Sequence, residues 1–243
     1  PSHLGVAFDP SGPTFRDEAF ADYKAQREKT PEDIKLSVPI IKQVLEAMNI
    51  PILEVKGYEA DDVIGTLATQ ASHFDMETYM LTPDKDYGQL VKENVFIYRP
   101  RHGGGYEILG VEQIKEKYQI ESPSQVIDIL ALMGDSADNF PGCPGVGEKT
   151  AIKLINDFKS INNLLENTNQ LKGKLKEKVE SAVDDIKMSN FLATIKTDVP
   201  IELNLTDLQL TPPNEEKLRA LFDELEFRTL ANKFFKKTEN IQT

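Results

Sequence analysis

Eight carboxylates are placed where apolar runs stop or helices begin. Asp9 follows "HLGVAF". Glu59, Asp61 and Asp62 open "EADDVIGTLATQASHF". Asp84 and Asp86 sit in "TPDKD", directly after "ETYMLT". Asp135 and Asp138 sit in "GDSADN", after an apolar run that closes at Met133. Singly, each has an ordinary reading. Acids at a helix start cap free N–H groups and complement the dipole, and Asp9 alone reads as a turn residue. Gathered on one edge, they would repel one another and perturb each other's pKa values. A positive group must offset them. The chain holds one Cys, Cys143, and three His, which excludes a Cys-rich zinc site. An all-oxygen set suits Mg²⁺ or Mn²⁺. Two such ions on shared carboxylates are the arrangement used for in-line attack on phosphodiesters.

Beside the last acidic pair lies a loop, Gly142–Gly147, with three glycines and one proline among its six residues. It opens into a helical pattern with Ala151, Leu154 and Ile155 on one face. Glycine lets backbone turn tightly and approach a ligand. N–H groups at a helix start form an anion site suited to a DNA phosphate, read without regard to base sequence. A plain helix–turn–helix corner is the structural alternative.

The elements that must position these groups follow from periodicity. "HLGVAF", "IPILEV" and "ETYMLT" read as strands, and "VFIYRP" and "GYEIL" as a hairpin across "RHGGG". Helical spacing begins at Pro39 in "PIIKQVLEAMNI" and recurs in the segment after Glu59. Strands alternate with helices to about residue 100, the pattern of an α/β layer with parallel strands. Ligands gather beyond the carboxyl ends of such strands, so the first three acidic groups should meet there. Further helices are expected over Val111–Tyr118, Pro123–Met133, Gly147–Phe158, Ile161–Glu166, Gly173–Thr194 and Asn214–Glu226. "KKTENIQT" reads as a frayed tail or the start of a linker.

The 243 residues, 40% hydrophobic and 28% charged, are ordinary for a globular chain with a substantial core. No apolar run approaches a membrane span, and no secretory signal is visible. A single cysteine excludes an intrachain disulfide and fits a reducing, cytoplasmic compartment. The net charge of −12 argues against a nucleic-acid partner when taken as a sum. It does not when acids cluster around cations and bases form separate patches.

"LALMGDSADNFPGCPGVGEKTA", "EADDVIGTLA", "TPDKDYGQLV" and "ATIKTDV" together resemble the 5′ nuclease domain of bacterial DNA polymerase I, within the flap endonuclease superfamily. The resemblance covers nearly the whole chain, with its motifs in the family's order. It implies a PIN-like α/β fold over residues 1–110, with an arch segment at about 13–36. A helix–three-turn–helix DNA-binding region would follow over 111–205, then C-terminal helices and a linker over 206–243. It also implies two Mg²⁺ or Mn²⁺ ions, the first on Asp9, Glu59, Asp61 and Asp62, the second on Asp84, Asp86, Asp135 and Asp138. K⁺ would sit on the loop carbonyls. The arch, "FADYKAQREKTPED", would bring Tyr23, Lys24 and Arg27 to the scissile phosphate. Gly142, Gly145, Val146, Gly147, Lys149 and Thr150 would meet duplex DNA. "LKGKLKEKV" adds Lys172, Lys174, Lys176 and Lys178 as a second phosphate-tracking patch. Read without the resemblance, these bases are solvated helix charges. Arg99, Arg101 and His102 stay unassigned.

What is implied is hydrolysis of DNA, or of RNA–DNA primers, near 5′ ends and flaps, beside a covalently linked polymerase domain on the bacterial nucleoid. Two departures bear on it. Pro83 stands where the family often has Gly; it stiffens the turn but leaves the carboxylates. The family also opens with a central strand ending in a metal-binding Asp, and a basic helix, which would fall ahead of Pro1. A chain without them is expected to be a weak or inactive nuclease and less stable than one that has them; the alternative is a catalytically impaired DNA-binding fragment. Two other classes compete: a non-catalytic DNA-binding module, which gains nothing from a dense acidic pocket, and a small-molecule phosphatase, which has no use for the glycine loop.

Overall fold

A computed structural model describes residues 1–239, the last four by backbone alone. The chain divides into two compact units, each built from separated segments. The smaller comprises Pro1–Phe8, Lys29–Glu54 and the chain from Asn204 onward. In it β1 (Val6–Ala7) pairs in parallel with β2 (Ile52–Leu53). The helix Glu32–Ala47 packs Ala47, Val44 and Met48 with Leu218, Phe222 and Phe235 from the helices Glu215–Glu224 and Arg228–Glu239. Asn214 starts Glu215–Glu224 by accepting the Lys217 N–H. The Glu32–Ala47 helix begins well before the expected Pro39, which lies inside it. The expected linker is also corrected in part: Lys236–Glu239 continue a helix, and Asn240–Thr243 lie outside the described residues.

The larger unit, Asp9–Glu28 with Val55–Leu203, holds every acidic group singled out above. β3 (Thr78–Leu81) pairs in parallel with β4 (Val95–Pro100), and β4 pairs antiparallel with β5 (Tyr106–Leu109) across the glycine-rich loop. The helix Ala60–Ala71 turns Val63, Leu67 and Ala68 inward. After β5 the unit is helical: Val111–Tyr118, Val126–Met133, Glu148–Phe158, Ile161–Glu166, Gly173–Ser181 and Val183–Ala193. Val126–Met133 is central, with Ile129, Leu130, Ala131 and Leu132 fully buried. The single helix expected over Gly173–Thr194 is two, broken at Ala182.

Two glycines fix the stretch that joins the last acidic pair to the glycine loop. Gly134 ends Val126–Met133 at φ +70°, and Gly142 stands at φ +60°. A Cβ on Gly142 would lie 2.5 Å from the Gly134 nitrogen, and a Cβ on Gly134 would lie 2.7 Å from the Phe140 carbonyl oxygen. Only bare backbone fits. Asp135 and Phe140 exchange backbone hydrogen bonds at 3.2 and 2.8 Å, and the Cys143 N–H donates to the Leu132 carbonyl at 2.8 Å. The residues between form a tight lobe that carries Asp138 on its tip.

Candidate active site

A cavity of about 230 Å³ opens in the larger unit. Asp9, Glu59, Asp61, Asp84, Asp86 and Asp138 line it, with Arg16, Tyr23, Lys24 and Arg27. Chain geometry explains the gathering. Asp9 follows β1 and accepts the Ala60 N–H at 2.8 Å, so it caps the helix that presents Asp61. Asp84 follows β3 and accepts the Asp86 N–H at 2.9 Å, which closes a short turn into the 3₁₀ helix Asp86–Leu90. Tyr87 donates to Asp61 at 2.6 Å.

The acids divide into two sets. Glu59 accepts from Arg16 at 3.0 Å and from Tyr23 at 2.9 Å, and it pairs with Lys24. Arg27 pairs with Asp138. Among the described residues, Asp9, Asp61, Asp84 and Asp86 have no ion pair. Burial pushes the Asp61 carboxyl up to about 6; the Tyr87 hydrogen bond opposes this, and the nearby Asp84 and Glu59 charges reinforce it. Burial, followed by the Asp84 charge, pushes Asp86 up to about 7. Asp86 Oδ1 is a buried oxygen without a hydrogen-bond partner among the described residues. Such an atom is costly unless a cation or donor meets it.

Two expected ligands lie elsewhere. Asp62 is fully buried and does not line the cavity. Its carboxylate is spent on Arg16, at 2.7 and 2.8 Å, and on the N–H groups of Glu59 and Lys196 at 3.1 and 2.8 Å. Asp135 accepts from Lys85 at 2.7 Å and from the Ala137 N–H at 2.8 Å. Those partners outweigh its burial and lower its pKa. Tyr23 also departs from expectation: its ring is buried against Phe140 and its hydroxyl is engaged by Glu59. Tyr23 therefore orients Glu59 and is not free to meet a phosphate. Among the described residues, no three carboxylate, His or Cys side chains close around a common point.

The donor set still suits a hard cation. It is all oxygen, partly desolvated, and includes one unsatisfied buried oxygen. Mg²⁺ characteristically takes one or two carboxylates and keeps several waters, so it does not need three converged ligands.

Four neighbours carry no site role in the sequence reading: Arg16, Lys85, Tyr87 and Phe140. Lys85 and Tyr87 lie inside or beside "TPDKD", so proximity to the acids was a usable signal. Arg16 gave none, since nothing local marks an arginine beside Phe15 as buried.

The expected DNA-contacting residues lie on the glycine loop, on the start of the helix Glu148–Phe158, and at the start of the helix Gly173–Ser181. Gly147 begins Glu148–Phe158, and a Cβ there would meet nothing within 4 Å. Gly145 is exposed at φ +77°, with the Lys178 Nζ 3.5 Å from its carbonyl oxygen. Lys149, Lys172 and Lys174 are exposed and Thr150 is half-buried. Val146 is buried, so only its backbone is available to a ligand. Gly142 is buried and serves the contact with Gly134.

Small sheets with parallel strand pairs, a helical region after them, and a carboxylate cavity flanked by Lys and Arg fit a nuclease-type architecture. The chain belongs to the 5′-3′ exonuclease family: residues 1–119 match its N-terminal resolvase-like domain and residues 121–216 its C-terminal SAM fold. It is 39% identical over 230 residues to a 5′-3′ exonuclease of Aquifex aeolicus, covering 95% of this chain and 77% of that one. It is 45% identical over 232 residues to the DNA polymerase I of Bacillus subtilis, covering 95% of this chain and 26% of that one. The chain thus spans about a quarter of the length of that relative. Among solved structures, a bacteriophage T5 flap endonuclease in a pseudo-enzyme-product complex with DNA and metal ions superimposes with a TM-score of 0.68. The two are 19% identical, over 90% of this chain and 82% of that one.

Proposed function

We propose that this chain is a divalent-metal-dependent 5′ nuclease that hydrolyses DNA phosphodiesters near 5′ ends and flap junctions, as the nuclease portion of a DNA polymerase I. One observation carries the reading: Asp9, Asp61, Asp84 and Asp86, without ion pairs among the described residues, line the same cavity as Lys24 and Arg27. Acids alone would repel a phosphate, and bases alone would bind it without cutting. Family membership and the names of the relatives support the same reading. So does the DNA in the complex of the T5 enzyme.

Asp61, Asp84 and Asp86 would hold the metal, with Asp9 and Glu59 at its margin. Mg²⁺ or Mn²⁺, when bound, supplies Lewis-acid activation and neutralises phosphate charge. Lys24 and Arg27 reach the cavity on long side chains and would bind the phosphate oxygens, offsetting charge as it builds there. Tyr23 and Arg16 hold Glu59 in place. The exposed loop positions Gly145 and Gly147, with Lys149, Lys172 and Lys174, would track duplex backbone, which makes binding independent of sequence and sensitive to salt.

The test is cleavage of a 5′-labelled flap duplex with Mg²⁺ and with EDTA. Mg²⁺-dependent cutting close to the junction is expected. Equal cutting in EDTA, or none under either condition, would refute the reading.

A further inference from the structure

Arg16 is 2% exposed, and its guanidinium donates to five acceptors. Nε meets the Leu192 carbonyl at 2.9 Å. Nη1 meets Glu59 Oε2 at 3.0 Å and Asp62 Oδ2 at 2.7 Å. Nη2 meets Asp62 Oδ1 and the Thr194 carbonyl, both at 2.8 Å. A guanidinium has five N–H groups, so its donor capacity is fully used. Burial alone would lower its pKa, but the Asp62 hydrogen bond and the Asp62 and Glu59 charges raise it.

Three segments meet at this one side chain. Arg16 belongs to the helix Phe15–Ala19, which leads into the turn bearing Tyr23, Lys24 and Arg27. Glu59 and Asp62 belong to the start of Ala60–Ala71. Leu192 and Thr194 carry carbonyls at the C-terminal end of Val183–Ala193, where helices leave acceptors unsatisfied and favour positive charge. The Asp62 fork fixes the guanidinium plane, and the remaining Nη1 proton fixes one oxygen of Glu59. The other Glu59 oxygen is engaged by Lys24.

We infer that Arg16 is a positioning residue for the metal site: it is the permanent counter-ion of Asp62, and through that fork it holds Glu59 at the cavity wall. Asp62 then serves the site through Arg16 and is not itself a ligand. This rests on the metal-dependent reading above. A planar fork makes contacts that a lysine cannot reproduce.

The test uses the full chain and Mn²⁺ alone, with affinity measured by calorimetry in the absence of DNA and melting temperature measured in parallel. Arg16→Gln strands the buried Asp62 charge, so it should lower both the melting temperature and the Mn²⁺ affinity, the latter by about tenfold or more, as is common when a partner behind a ligand is lost. Arg16→Gln combined with Asp62→Asn removes the stranded charge and keeps one side-chain acceptor, enough for either the Glu59 or the Lys196 N–H. It should recover part of the melting temperature while Mn²⁺ affinity stays reduced. Arg16→Lys should likewise leave the affinity reduced. If the double variant regains unaltered affinity together with its stability, Arg16 is only a charge-compensating strut and the inference fails. Equal Mn²⁺ binding by the unaltered chain and all Arg16 variants also overturns it. If the unaltered chain itself binds no Mn²⁺, the metal reading fails and takes the inference with it.

Discussion

Gly142→Ala tests the account of how the acidic lobe is held. The new Cβ would stand 2.5 Å from the Gly134 nitrogen, 2.7 Å from its Cα and 2.9 Å from the Met133 carbonyl carbon. All three are backbone atoms, so no side-chain rotation relieves the contact. The φ of +60° adds a second cost, because alanine in the left-handed region is disfavoured by about 1 kcal/mol relative to glycine. Forcing extra volume into a packed site costs a further 1–3 kcal/mol, roughly. The sum is about 2–4 kcal/mol, and at roughly 2–4 °C per kcal/mol for a domain of this size it predicts a melting temperature lowered by about 4–16 °C. Urea and thermal unfolding followed by circular dichroism would read it. Gly147→Ala is the control: its φ is −93° and a Cβ there meets nothing within 4 Å. It should change stability by less than about 1 kcal/mol. If both variants melt alike, close backbone contact is not what shapes the lobe.

Three further outcomes are expected. Asp138→Ala, which strips Arg27 of its partner on the cavity wall, should sharply reduce metal-dependent flap cleavage while duplex binding, measured by fluorescence anisotropy, survives, and Asp135→Ala, outside the cavity, should reduce it less; unaltered turnover in Asp138→Ala would remove that residue from the site. Gly145→Val should weaken duplex binding to a similar degree across sequences, since its Cβ would lie 2.3 Å from the Lys178 Nζ at φ +77°; binding that is insensitive to salt or selective for sequence would contradict the phosphate-contact reading. Asp128 lies away from the cavity, and burial pushes its carboxyl up to about 6, against the hydrogen bond from the Ile161 N–H. A raised acid binds more protons in the folded state, so its contribution is full below about pH 4 and is lost as pH rises through about 6. Asp128→Asn should therefore flatten the pH dependence of urea midpoints in that window and raise stability at pH 7.5. A midpoint difference from the unaltered chain that does not vary with pH would refute it.

Most of the acidic geometry was legible because it follows from strand ends and helix starts. Asp9, Asp61, Asp84 and Asp86 reach one cavity for that reason. Asp62 was misjudged because its fate depends on Arg16, 46 residues earlier in the chain. Spacing along a helix says which face a side chain takes but not which distant side chain fills it. Tyr23 was misjudged similarly, since Glu59 and Phe140 come to it from elsewhere. The helix Glu32–Ala47 began earlier than expected because Pro39 looks like a helix start, whereas it lies inside a helix whose first residues, 32–36, are exposed. Arg228–Glu239 was not assigned, although Phe235 packs with Phe222. The helices after Gly110 were clearest, because their apolar periodicity serves a core made largely of their own neighbours.

The contact between Gly134 and Gly142 has a metrical consequence. It joins the lobe that carries Asp138 to the loop that would grip the duplex, with no side chain between them to flex. On the proposed function, the distance from the duplex contact to the Asp138 wall of the cavity is then a property of the main chain. Asp61, Asp84 and Asp86 reach the same cavity from other segments. One wall of the cutting site is thus tied to the duplex grip by a single piece of backbone, and the opposite wall is set independently of it.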